Sequence, residues 1–234
     1  MTWQLTATGA TFDLCRADPA SISLLDIAQS LATTNRYNGA ALRPNSVAEH
    51  SLLVVEIMQR DLAISDAATL LAGLMHDAHE TYIGDLTSPL KAAMARLGMD
   101  WHGFEASIQR QVLQRFMLHE PWLEAGALIK TADLIARATE RRDLLPPGGP
   151  DWIELSGVSA AGWIDLRQRD DGKRASPVVV ALHTEVGEAA ADQSNYQVLE
   201  QQRHAHVGHL GRHHKCQCGD HPPFVDPQVG EEAP

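Results

Sequence analysis

The sequence is poor in cysteine and has no long apolar run. Its three cysteines, Cys15, Cys216 and Cys218, are too few and too unevenly spaced for a disulfide framework. No uninterrupted apolar stretch approaches the ~18 residues that a membrane span needs. The first residues also lack the basic start and apolar segment of a signal peptide. We therefore expect a cytoplasmic protein without a membrane partner.

Basic residues are also scarce, with 19 Lys and Arg against 30 Asp and Glu and a formal net charge of -11. An acidic surface repels polyanions, so we expect no polymeric nucleic acid as a partner. A small anion remains compatible, because a metal ion and a few basic side chains can hold it locally. With 234 residues, 44% of them hydrophobic, the chain can form one sizeable domain with extensions.

The most informative stretch covers residues 72–85 and contains the dipeptide His76-Asp77. The apolar residues before it predict a helix buried on most sides, with the dipeptide at its C-terminal end. A buried carboxylate without a partner is costly, and a metal ion is one partner that offsets this cost. The alternative is a hydrogen-bonded His-Asp pair that only ties two helices together.

Two further helices carry inward-facing polar residues. A helix from Ser46 to about Arg60, starting at Asn45 or Ser46, places His50 on its apolar face. The next helix is predicted to have Ser65 as its N-cap and to continue through His76, which puts Glu80 on the same face one turn later. In the helix 128–140, Asp133 lies among apolar neighbours.

The rest of the chain predicts an all-α bundle with a minor β-hairpin around Gly9-Ala10. Residues 146–150 (Pro-Pro-Gly-Gly-Pro) indicate a boundary, so we divide the chain into 1–145, a poorly assigned extension 146–202, and 203–234. The last segment is rich in His, Cys and Pro and is expected to be a disordered tail. The remaining predicted elements are helices over 22–33, 100–118 and 122–144, and strands over 163–166 and 178–182.

His50, His76-Asp77 and Asp133 form an H…HD…D pattern, and here the sequence resembles the HD-domain metal-dependent phosphohydrolases. Arg36, Glu80 and the segment Gly84-Asp-Leu-Thr-Ser-Pro-Leu-Lys91 strengthen this resemblance. They are similar to features of the bacterial HD-domain 5′-nucleotidases and of phage deoxynucleotide hydrolases that remove dATP. The resemblance covers roughly residues 1 to 145.

The resemblance implies a single divalent ion bound by His50, His76, Asp77 and Asp133. Two imidazoles and two carboxylates suit Mn, Fe, Co or Zn better than Ca or Mg. His79, His102 and His119 leave a second metal open. The resemblance also assigns the remaining roles: Glu80 and Asp85 in catalysis, Arg36 as the phosphate-binding residue, Tyr37 where the nucleotidases usually have Trp, and Arg43 and Lys91 as accessory substrate-binding candidates. Arg36 and Glu80 are both predicted to lie at the rim of the site.

The implied activity is hydrolysis of (deoxy)nucleotides, most simply release of phosphate from deoxynucleoside monophosphates. A dNTP triphosphohydrolase of the dATP type is the close alternative, because one metal site can serve either reaction. A catalytically silent nucleotide-binding or interaction domain is the alternative of a different class. A homodimer is possible by the same resemblance.

Overall fold

A computed structural model describes residues 1–168 of the chain. Seven α-helices occupy most of this part, so the all-α prediction is confirmed. No helix in residues 1–168 is long and apolar enough to cross a membrane. The helices are α1 (Leu24–Thr33), α2 (Val47–Arg60), α3 (Ala67–Leu74), α4 (Glu80–Ile83), α5 (Ser88–Arg96), α6 (Trp101–Arg115) and α7 (His119–Leu144).

The predicted hairpin is present as strands β1 (Trp3–Leu5) and β2 (Thr11–Asp13), which pair antiparallel. Gly9 adopts a φ of 82° in the connecting turn, a backbone conformation that glycine tolerates best. Phe12 of β2 is fully buried and stacks on Tyr82 of α4, with 3.8 Å between ring centroids. The hairpin therefore packs onto the helix that follows the His-Asp dipeptide.

Side-chain caps set several helix starts. Ser46 is the N-cap of α2, and its hydroxyl accepts a hydrogen bond from the backbone N–H of Glu49. Ser65 does not cap α3 as predicted: the cap is Asp66, whose carboxylate accepts from the N–H of Thr69 at 2.8 Å. Helix α7 begins at His119, which is earlier than the predicted start at Trp122.

Helix α2 lies at the centre of the bundle and contributes to both of its apolar clusters. Val47 and Ala48 pack with residues of α1, α4 and α6, whereas Leu53 and Ile57 pack with α3 and α7. His50 lies on α2 between the residues of the first cluster and those of the second, and it is completely buried. The packing of α2 therefore carries an imidazole into the interior.

Residues 151–168 are also packed against the bundle. The guanidinium of Arg142 donates to the carbonyls of Ala161 and Ile164, and Asp143 accepts from the N–H of Leu166. A short 3-10 helix, Leu166–Gln168, ends this segment. The strand predicted over 163–166 is therefore wrong, because these backbone groups bond to α7 instead of to a neighbouring strand.

The predicted strand 178–182 and the predicted tail 203–234 lie outside the described residues. The proposed boundaries at 145 and 202 stay predictions.

Candidate metal centre

Four residues named from the sequence lie together in the interior of the bundle. His50 comes from α2 and Asp133 from α7, while His76 and Asp77 lie in a turn that follows α3. Helix α3 ends at Leu74, so the helix predicted to continue through His76 is wrong. Because residues 75–79 form consecutive turns, the dipeptide faces the groove between α2 and α7.

The donor atoms of three of these residues lie close enough together to bind one ion. His76 Nε2 lies 3.0 Å from Asp77 Oδ2, and His50 Nε2 lies 3.8 Å from the same oxygen. Asp133 Oδ1 lies 3.2 Å from His50 Nε2. Bonds of about 2.0–2.2 Å to a divalent ion place neighbouring ligand atoms roughly 3.0–3.5 Å apart. His50, His76 and Asp77 therefore could bind a metal ion, with Asp133 beside them.

Both imidazoles are oriented by a bond on the opposite side of the ring. His76 Nδ1 lies 2.9 Å from the carbonyl oxygen of Gly73, and His50 Nδ1 lies 3.0 Å from Glu140 Oε1. An oxygen acceptor requires the proton on Nδ1, which leaves the Nε2 lone pair facing the cluster. Within residues 1–168 the two buried Nε2 atoms have no hydrogen-bond partner. A metal ion would satisfy both atoms.

Without a metal ion, the cluster is held by charge. Burial and Arg36 oppose protonation of His50, but Glu140 and Asp133 outweigh them and raise its pKa to about 9. Burial would raise the pKa of Asp77, yet His76, His50 and Arg36 hold it well below its ordinary value. The pKa of Asp133 is likewise lowered, against burial, mainly by His50. In the absence of a metal ion, the surrounding carboxylates therefore favour the protonated form of His50.

Arg36 does not lie at the rim of the site, as predicted, but is buried with 7% of its surface exposed. Its Nη1 lies 3.6 Å from Asp77 Oδ2, and its Nε donates to Glu140 Oε2 at 3.3 Å. The next two residues, Tyr37 and Asn38, have φ values of 58° and 52°, in the left-handed region. The backbone N–H of Arg36 donates to the carbonyl of Asn45. This bond and the left-handed turn that follows hold Arg36 in its inward position.

Glu80 is buried too, with 4% exposed, so its predicted place at the rim is wrong. It begins the separate short helix α4 instead of extending the helix that precedes His76. Burial, followed by Asp77 and Asp85, raises the pKa of Glu80 well above its usual value. Asp85 is partly buried, and its pKa is raised by burial and by Asp77.

Glu140, a carboxylate with 1% of its surface exposed, is a further residue of the site that was not predicted from the sequence. It lies on α7 about two helical turns after Asp133 and therefore on the same face of the helix. It accepts hydrogen bonds from His50, Asn45, Tyr37 and Arg36. The helical spacing from Asp133 was the one signal in the sequence that could have identified it.

Arg43 and Lys91, the accessory substrate-binding candidates, bond to other residues. The guanidinium of Arg43 contacts Glu49 at 2.9 Å and the backbone carbonyl of Leu166. The ammonium of Lys91 lies 2.6 Å from Glu105. The structure therefore brings neither side chain into direct contact with the four-residue cluster in the described part of the chain.

The other histidines occupy different positions. His79 forms a second possible metal-binding group with Asp77 and Glu80, whose ligand atoms lie within 4.8 Å of one another. His102 is largely exposed and lies 3.4 Å from Glu105. His119, at the start of α7, belongs to neither potential metal-binding group found in residues 1–168.

A cavity of about 440 Å³ is lined by Glu80, though by none of the four residues of the cluster. Ser30 of α1 and Thr34, which follows this helix, line one side of it, and Trp101 and Phe104 line another. Small-molecule pockets in proteins span roughly 300–1,000 Å³. The cavity therefore has room for an organic ligand with an aromatic group.

No family model matches this sequence. The chain is 33% identical over 160 residues to the uncharacterized protein YfdR of Escherichia coli (strain K12), in an alignment that covers 68% of this chain and 82% of YfdR. It is 41% identical over 96 residues to an uncharacterized protein of Rhodobacter capsulatus, covering 40% of this chain and 49% of that protein. The similarity to YfdR extends over most of both proteins, and the chain belongs to the YfdR family.

Proposed function

We propose that this chain is a metal-dependent phosphohydrolase of the HD type that acts on (deoxy)nucleotides and releases phosphate from deoxynucleoside monophosphates. The observation that carries the proposal is the convergence of His50, His76, Asp77 and Asp133, with two buried Nε2 atoms facing carboxylate oxygens. Beside this group, Arg36 would bind the phosphate and the buried Glu80 would transfer a proton, two functions that hydrolysis of a phosphate ester requires.

The donor set fits a divalent ion such as Mn, Co, Zn or Fe, since it combines two imidazole nitrogens with carboxylate oxygens. When bound by these residues, such an ion would polarise a phosphoryl oxygen and lower the pKa of water toward neutrality.

The remaining roles fall to side chains of the chain itself. Arg36, anchored through its Nε, presents the end of its guanidinium beside Asp77, where it can bind a phosphate oxygen. Glu80 has a raised pKa and a buried Oε2 that has no hydrogen-bond partner in residues 1–168. It can therefore hold a proton and exchange it with the attacking water or with the leaving group. Asp85 is the second acid-base candidate.

The nucleoside part of the substrate would extend into the cavity beside Glu80. Trp101 and Phe104 offer aromatic surface for a base. The Thr34 hydroxyl, which donates to the carbonyl of Ser30, can still accept a hydrogen bond from the sugar. This placement puts the phosphate next to Arg36 and the base away from the charged cluster.

The test is a panel of deoxynucleoside mono- and triphosphates assayed with Mn or Co for release of phosphate and of triphosphate. We expect phosphate release from monophosphates by the full chain, and a loss of about 10²-fold or more in Glu80→Gln. Asp165→Asn, in an exposed pair with Arg167, is the matched carboxylate control and should keep full activity.

Triphosphate release in place of phosphate release would identify the dNTP alternative. Nucleotide binding without turnover of any member of the panel would contradict the proposal and favour a silent binding domain.

A further inference from the structure

The carboxylate of Glu140 has all of its acceptor capacity in use. Oε1 accepts from His50 Nδ1 and from Asn45 Nδ2, both at 3.0 Å. Oε2 accepts from the Tyr37 hydroxyl at 2.5 Å and from Arg36 Nε at 3.3 Å. A carboxylate offers about four lone-pair positions, so none remains for a metal ion or a substrate. Glu140 can act on the centre only through the side chains that it holds.

One of these side chains is a residue of the candidate metal centre. The bond to His50 fixes the proton on Nδ1 and turns Nε2 toward Asp77 and Asp133. A carboxylate in this position also makes the imidazole a stronger electron donor. If the bond were lost, the ring could rotate, and neutral His50 could carry its proton on Nε2, where it cannot bind a metal.

A second side chain held by Glu140 is Arg36, which lies beside the centre. Glu140 engages Nε of Arg36, which leaves the terminal part of the guanidinium on the Asp77 side. The same carboxylate thus determines the direction of both His50 and Arg36. Asn45 and Tyr37 hold the carboxylate in turn, one on each oxygen.

We propose that Glu140 is the positioning residue of this centre, which aligns His50 toward the metal and Arg36 toward the substrate phosphate. The part that concerns Arg36 rests on the proposed function, whereas the part that concerns His50 requires only that the centre binds a metal ion. Glu140 would therefore tune metal affinity and substrate KM without contacting either ligand.

The test compares Glu140→Gln with Asp143→Asn in the full chain. Glutamine keeps the shape of the side chain, but its amide nitrogen cannot accept the bonds that one carboxylate oxygen accepts now. Asp143 is the matched control because it is a carboxylate on the same helix with 2% of its surface exposed. Its contacts with Arg142 and the N–H of Leu166 hold the 151–168 segment in place.

Co²⁺ affinity is measured from the absorption of the bound ion, with Asp77→Ala as the blank. Histidines outside the centre bind the same amount of Co²⁺ in every variant. Subtracting the absorption of Asp77→Ala therefore leaves only the signal of the centre. We expect Glu140→Gln to weaken Co²⁺ binding by about 10- to 100-fold, the usual effect of losing the partner of a metal-bound histidine. Asp143→Asn should lower the melting temperature and leave Co²⁺ affinity unchanged.

Unchanged Co²⁺ affinity in Glu140→Gln would overturn the proposal, as would equal weakening by Asp143→Asn, since a general loss of rigidity would then explain the effect.

If Glu140→Gln does not fold, Tyr37→Phe replaces it, because it removes one bond to Oε2 and loosens the Arg36 side. Tyr37→Phe should raise nucleotide KM and change Co²⁺ affinity little. An unchanged KM in that variant would overturn the part of the proposal that concerns Arg36. If the wild-type protein hydrolyses no nucleotide but Glu140→Gln still loses Co²⁺ affinity relative to it, the positioning of His50 is supported and only the proposed function is refuted.

Discussion

The ammonium of Lys130 lies 2.7 Å from Oδ2 of Asp133, on the carboxylate whose other oxygen faces His50. Lys130 is largely exposed, so this ion pair contributes little to stability, about 0–1 kcal/mol. Its positive charge nevertheless competes with a cation for Asp133. We expect Lys130→Ala to raise divalent-metal affinity by up to about fivefold, as measured by titration calorimetry. A weaker affinity in this variant would show that Asp133 needs Lys130 to be held in place.

Asp77 is the carboxylate that contacts both histidines of the centre. We expect Asp77→Ala to bind one metal ion fewer per chain than the wild-type protein, measured by elemental analysis after dialysis. Asp61→Ala is the control, since Asp61 accepts from the indole of Trp163 at the far end of α2. Equal metal content in wild type and Asp77→Ala would mean that the centre is wrongly assigned.

His50 should make metal binding pH-dependent. Its pKa is raised to about 9 in the metal-free protein, so the ring is protonated at neutral pH and must lose a proton when a metal binds. Metal affinity should therefore increase as pH rises from 7 to about 9 and then level off. Calorimetry in buffers of different ionisation enthalpy measures the released proton. No proton release at pH 7 would contradict the protonated state of His50.

We expect Glu80, a proposed catalytic residue, to lower the stability of the folded protein at neutral pH. Because its folded-state pKa is raised, the folded protein favours the protonated form, and this group costs stability at pH values above its ordinary 4.5. Glutamine resembles the protonated form and has no such cost. We expect metal-free Glu80→Gln to melt at a higher temperature than wild type at neutral pH, with the difference shrinking as pH falls toward 4.5. A lower melting temperature at neutral pH would indicate a structural role for the charged carboxylate.

The contact between α2 and α3 depends on Gly73. A β-carbon at this position would collide with Sδ of Met58, which is fully buried and has little room to move. We expect Gly73→Ala to cost about 1–3 kcal/mol of unfolding free energy, measured by denaturant titration. Gly126→Ala on α7 is the control, because nothing lies within 4 Å of its β-carbon position. It should stabilise the protein by about 0.4–1 kcal/mol. Equal effects of the two substitutions would contradict this packing.

Local rules of the sequence were sufficient for most of the fold. The apolar spacing of α2 identified the buried face that carries His50, and the alternation around Gly9 identified the hairpin. A helix cap depends on a few adjacent residues, and an amphipathic face on a fixed period, so both can be recognised without knowing what packs against them. Some helix ends were missed, as with Asp66 in place of Ser65, and neither α5 nor the separate helix α4 was predicted.

Tertiary packing alone decided how deep each polar side chain lies. Arg36 and Glu80 were expected at the rim, yet both are buried in the packed bundle. Glu140 had no motif to mark it, because its role depends on four donors that come from other elements. The sequence determines which residues can bind a metal or carry a proton. Their burial, pairing and pKa depend on distances between segments that are far apart in the chain, and those distances exist only once the helices have packed.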